Sequence, residues 1–137
     1  MTNLKKEKVT KSTTINTTLL NVIKYWLFLL RSRHQLQKKQ EELLSLIIYQ
    51  YIMFSKEVSN PKFIWKLVFD YDSRQEISEI MNISNINFEN YLTRMRNNNV
   101  IIDNQVNPNY MPGIGYNTKE FNLQFNFNII DKNETKR

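Results

Sequence analysis

The stretch Ser73-Arg-Gln-Glu-Ile-Ser-Glu-Ile-Met-Asn-Ile-Ser-Asn-Ile-Asn-Phe-Glu-Asn-Tyr-Leu-Thr-Arg-Met-Arg-Asn-Asn-Asn-Val-Ile-Ile102 decides the fold. Ser73-x-x-Glu76 has the spacing of a capping box, which opens a helix by satisfying its first free N–H groups. That helix is expected to turn Ile77, Ile80 and Met81 inward. Asn82-Ile83-Ser84 forms a turn, and Ser84 caps a second helix. Phe88, Leu92 and Met95 stand at i, i+4 and i+7, so they form its buried face. Asn97-Asn98-Asn99 stops it, because Asn tolerates the left-handed conformation of a helix end. Val100-Ile101-Ile102 is a strand, Asp103-Asn104 suits a two-residue hairpin turn, and Gln105-Val106 returns. Two short helices passing into a hairpin are the pattern of a winged helix-turn-helix.

Working outward, Asn60-Pro61 predicts a further helix start, with Asn as cap and Pro in the first turn. Phe63, Ile64, Trp65, Leu67 and Val68 follow, and Asp70-Tyr71-Asp72 is read as its end. Gln37–Lys56 reads as the central helix, because Leu43, Leu44, Leu46, Ile47, Ile48, Tyr51 and Ile52 make it apolar over most of its girth. Its polar start, Gln37 to Glu42, is expected in solvent or at an interface. Leu19–Arg31 is read as a helix, with a strand as the alternative because β-branched and aromatic residues are frequent there. Near the C-terminus Phe121, Leu123, Phe125, Phe127 and Ile129 alternate with Asn122, Gln124, Asn126 and Asn128, which predicts a half-buried antiparallel strand. Asn107–Thr118, between hairpin and strand, holds both glycines and is a loop.

The expected fold class is therefore mainly α with a small antiparallel β-sheet: a winged helix-turn-helix with an N-terminal helical extension. The chain divides into a basic flexible arm (1–16), an extension (17–35), a winged-helix domain (36–130) and a polar tail (131–137).

Composition narrows the chemistry. The 137 residues include no Cys, one His and two Gly. Disulfides, zinc fingers, thiol nucleophiles and glycine-rich phosphate loops are excluded. His34, in an Arg-rich stretch outside the domain core, has no evident catalytic partners. Asp70-x-Asp72-x-x-x-Glu76 lacks the glycine turn of a calcium loop. No catalytic residue, metal or cofactor is expected, and the chain is read as a non-enzyme. The apolar run Leu19–Leu30 has 12 residues, short of the roughly 20 that a membrane span needs. It precedes no small-residue cleavage site, so no membrane partner and no secretory signal are expected.

Charge is unevenly spread. Residues 1–40 hold nine basic side chains against Glu7 alone, while residues 41–137 hold ten basic and twelve acidic ones. An interaction arm on a nearly neutral body follows. Lys5, Lys6, Lys8, Lys11, Arg31 and Arg33 are its candidate partner-binding residues. Asn85, Asn87, Asn90, Arg94 and Asn97 are the candidate DNA or partner face on the second helix, since Asn can read adenine and Arg guanine. The surrounding field is unfavourable to DNA: residues 41–131 carry seven basic and eleven acidic side chains, and the wing carries Asp103 with no Lys or Arg. Phosphate neutralisation supplies most non-specific affinity. A packing or docking module is favoured over a reader of bases.

The segments ELLSLIIYQY, RQEISEIMNIS, NYLTRMRNNNVI and NPNYMP…FNLQFNF, spread over Leu36–Ile130, resemble a family of small winged-helix proteins of tailed bacteriophages, including crAss-like phages of Bacteroidetes. The resemblance implies a virion protein, assembled in the host cytoplasm: an oligomeric ring or adaptor at the head–tail (portal–tail) junction. Its partners would be copies of itself and the portal and tail proteins, with DNA contact through the arm. The alternative is a phage DNA-binding regulator or replication accessory protein.

Overall fold

The computed structural model describes the backbone of residues 9–113 and 121–129 and the side chains of residues 17–113. The chain is mainly helical, with two small antiparallel pairs of strands. In chain order, β1 is Val9–Thr17, α1 Leu19–Leu29, α2 Arg31–His34, α3 Lys38–Phe54, α4 Pro61–Val68, α5 Tyr71–Met81 and α6 Asn85–Asn97. They are followed by β2 Ile101–Ile102, β3 Gln105–Val106, a 3-10 turn Pro108–Tyr110, and β4 Phe121–Ile129.

α3 is the axis of the body. Leu43, Leu44, Ile47, Ile48 and Ile52 are buried, and α1, α4, α5 and α6 all pack against this helix. Its polar start departs from expectation, because Gln40 and Glu41 are buried. The Gln40 side-chain oxygen accepts the Gln37 N–H at 2.9 Å, so it caps the helix instead of facing solvent. Leu19–Leu29 resolves as helix, with Thr18 as its cap. Its inner stripe Leu19, Ile23 and Leu27 enters the same core as α3 and α6. Residues on both sides of position 35 thus share one core. The Trp26 indole N–H reaches across to the carbonyl of Tyr110 at 2.9 Å, tying this helix to the chain beyond the hairpin.

Three local readings around α5 need correction. Asp70, not Ser73, caps the helix: its carboxylate accepts the Ser73 N–H at 3.0 Å. Ser73 is buried in the first turn and donates to the Leu67 carbonyl at 2.7 Å. Tyr71 and Asp72 therefore begin α5 rather than end α4, which stops at Val68. Ile77 and Met81 face the core, but Ile80 is exposed.

The turn and the second helix follow the sequence closely. Ser84 caps α6 by accepting the Asn87 N–H at 3.1 Å, and Phe88, Leu92 and Met95 are buried. Both helices stop in the same way. Asn82 and Asn99 adopt φ of 54° and 59°. At each end a backward pair of hydrogen bonds closes the turn: Ile83 to Ser78 and Asn82 to Glu79, then Val100 to Met95 and Asn99 to Arg96. These are Schellman stops with Asn in the place Gly usually takes. Asp103 and Asn104 both have positive φ, 54° and 56°, as a type I′ hairpin turn requires.

The arm is the largest departure. Val9–Thr17, read as part of a flexible segment, is a strand paired antiparallel with Phe121–Ile129, with Val9 opposite Ile129 and Thr17 opposite Phe121. The sequence showed the alternation of β4 but gave no partner. The Thr-rich β1 lacks an apolar alternation of its own. The expectation that β4 is half-buried concerns side chains outside the described ones, as do the tail 131–137 and most of the loop after Gly113.

Candidate functional site

The outer face of α6 is the site that the sequence proposes. Asn85, Asn87, Asn90, Arg94 and Asn97 are all exposed. Opposite the buried Phe88, Leu92 and Met95, the outward stripe is Ile86, Asn90, Thr93 and Asn97, at i, i+4, i+7 and i+11. Arg94 and Asn87 flank it. Asn85 lies towards α5, where its side-chain oxygen accepts from Gln75 at 3.4 Å. The stripe is therefore neutral. At its head Ile86 is 73% exposed, an apolar residue that attention to the Asn and Arg positions missed.

The charges beside this stripe are partly paired. Arg74 of α5 pairs with Glu89 of α6 and lies over the buried Phe88 ring, 5.0 Å from its centroid. Arg96 also approaches Glu89, at 3.7 Å. Two of the three guanidiniums on α5 and α6 thus share one carboxylate, and Arg94 remains without an ion pair among the described residues. The Thr93 hydroxyl donates back to the Glu89 carbonyl at 3.0 Å. The exposed carboxylates Asp72, Glu76 and Glu79 run along α5. A DNA-reading helix needs phosphate-neutralising side chains around it, and this one has few.

The arm residues separate. Lys5, Lys6 and Lys8 lie outside the described residues, and Lys11 stands in β1 opposite Phe127. Arg31 is already paired within the chain. Its guanidinium makes a two-bond fork with Glu41, at 2.6 and 3.0 Å, and lies over the Phe28 ring at 4.6 Å. The hydrogen bond to Glu41 holds its pKa above the ordinary arginine value. Arg33 is exposed.

His34 overturns its sequence reading most clearly, being fully buried. The Leu36 N–H donates to Nδ1 at 3.0 Å, so Nε2 carries the proton and donates to the Leu27 carbonyl, also at 3.0 Å. The His34 carbonyl accepts from the Asn98 amide at 2.7 Å. Glu41 Oε2 lies 3.4 Å from Nε2. The imidazole joins α1 to the turn before α3, and the His34 backbone carbonyl adds the end of α6. Its sequence neighbours are charged, which hid its burial.

Among the described residues no three His, Cys, Asp or Glu side chains gather to hold a metal ion. No helix among them is long and apolar enough to cross a membrane. A groove of about 780 Å³ between α4 and the hairpin turn is lined by Lys62, Phe63, Trp65, Lys66 and Asp103, a set suited to contact more than to catalysis.

No family model, curated protein or solved structure matches this chain. Its surface offers exposed apolar side chains between charged rims, on a body whose interior holds the one imidazole.

Proposed function

We propose that this chain is a non-enzymatic assembly protein, a subunit of an oligomeric ring or adaptor at the portal–tail junction of a tailed bacteriophage. In this reading α5, the Asn82–Ser84 turn, α6 and the β2–β3 hairpin form a winged helix-turn-helix that serves as a rigid body. The observation that carries it is the outward stripe of α6: Ile86, Asn90, Thr93 and Asn97 are exposed and uncharged, and Arg74 and Arg96 beside it share Glu89. Such a face suits protein contact better than a polyanion. The phage assignment rests on the sequence resemblance described above. Mass spectrometry of purified virions of a phage encoding the chain tests it. The protein should be present at a copy number matching a ring, and its absence from virions would end this reading.

A second reading is favoured by one specific observation. Asn87, Asn90 and Arg94 lie exposed together on one side of α6, as base-reading residues would. In that case the chain is a DNA-binding regulator or replication accessory protein. Random-site selection at physiological salt should then return a defined sequence, and replacing the three residues with Ala should abolish its binding. Selection without sequence preference removes this alternative.

A further inference from the structure

We propose that two patches of this chain's surface bind each other across copies: an apolar ridge on α1 rimmed by cations, and an apolar groove beside α5 edged by carboxylates. The proposal deepens the assembly reading and rests on it for its biological role.

The ridge consists of Tyr25, Phe28 and Leu29, one turn apart on α1, with Phe28 51% and Leu29 70% exposed. Lys24 and Lys38 join Tyr25 and Phe28 around a groove of about 450 Å³. Lys24, Arg33, Lys38 and Lys39 are all exposed and form no ion pair among the described residues. Of the two carboxylates lining this groove, Glu41 is paired with Arg31 and Glu42 is not ion-paired among the described residues.

The receiving groove, about 540 Å³, lies between the start of α1, the second half of α3, and α5. Leu20, Tyr49, Met53 and Ile80 line it, with Ile80 59% exposed. Glu76 stands on its rim, and Asp72 and Glu79 extend the acidic edge at i−4 and i+3 along α5. None of the three carboxylates is ion-paired among the described residues, and Lys56 is the cation lining the groove.

Exposed apolar clusters with charged rims mark contact surfaces. A nucleic-acid duplex on the ridge would use its cations but leave Phe28 and Leu29 in water. A protein surface with apolar side chains and carboxylates uses both, and this chain carries one. Apolar burial then supplies the affinity, while the opposite charges set register and reject like-charged partners. Because the two patches differ, a one-way contact builds a ring or filament, and a reciprocal one closes a dimer.

A charge-reversal exchange tests the contact. Lys24→Glu with Lys38→Glu makes the ridge acidic, and Glu76→Lys with Glu79→Lys makes the groove basic. Sedimentation velocity of the full chain, from low micromolar to near-millimolar concentration, should show wild-type self-association. Each variant alone should be monomeric, because its two patches now share a sign. An equimolar mixture should associate again, since each variant then faces a complementary partner. Thermal melts and circular dichroism like those of the wild type establish that the variants are folded, and the mixture's recovery cannot arise from misfolding. A monomeric wild type, variants that associate as the wild type does, or a mixture that stays monomeric would each overturn the contact. Virion mass spectrometry is a separate readout. Absence from virions with self-association intact removes the phage role and keeps the contact, whereas presence in virions as a non-associating chain does the reverse.

Discussion

The Trp26 indole N–H donates to the backbone carbonyl of Tyr110, 84 positions away in sequence, over 2.9 Å. One bond thus joins the N-terminal helix to the segment that leaves the hairpin. Trp26→Phe keeps the ring but strands the carbonyl, which should cost about 1–2 kcal/mol of unfolding free energy. Urea denaturation reads it as a lower midpoint with an unchanged slope.

His34 is the second joint. Replacing it with Ala opens a cavity, leaves the Leu36 N–H without its partner, and reduces the Leu27 carbonyl to its backbone bond from the Leu30 N–H. The expected loss is about 3–4 kcal/mol, enough to unfold a marginal domain. Asn98→Ala removes the amide bond to the His34 carbonyl and should cost about 1 kcal/mol. Denaturant melts of both variants check the order, with His34→Ala the more severe.

Arg31 separates a structural role from a binding role. Arg31→Met leaves the buried Glu41 without its two-bond partner and should lower the melting temperature. Arg31→Lys should recover only part of the loss, because an ammonium cannot reproduce the planar fork. A double-mutant cycle with Glu41→Gln measures the coupling. If Arg31 served a partner alone, these variants would melt like the wild type.

Two substitutions should stabilise. The Ser78 hydroxyl is buried with no hydrogen-bond partner among the described residues, so Ser78→Ala should be neutral or stabilise by up to about 1 kcal/mol. In the hairpin, Asn104→Gly relaxes a residue held at φ 56° and should add about 0.5 kcal/mol. Calorimetry of the single variants and their combination tests both, and the gains should add if the sites are independent.

The helical body was legible in the sequence wherever local chemistry and periodicity agreed. Ser84, the Phe88–Leu92–Met95 stripe, the Asn stops and the Asp103-Asn104 turn all lie within a few residues of the features they control. The failures have a common cause. Asp70 outcompeted Ser73 as a cap because Ser73 found a better acceptor in Leu67, a contact set by how α4 meets α5. The burial of His34 and Glu41, the exposure of Ile80 and the pairing of β1 with β4 depend on tertiary neighbours. The candidate residues of α6 are exposed, but the charge around them was not readable: that Arg74 on α5 and Arg96 on α6 itself converge on Glu89 is known only once the helices are packed.

In the proposed reading this chain acts through protein assembly and does not read DNA. Sedimentation velocity of the wild-type protein mixed with a labelled random-sequence duplex, at physiological salt, tests it most directly. The protein should sediment as an oligomer while the duplex keeps its free sedimentation coefficient. A protein that remains monomeric and carries the duplex with it would contradict this reading.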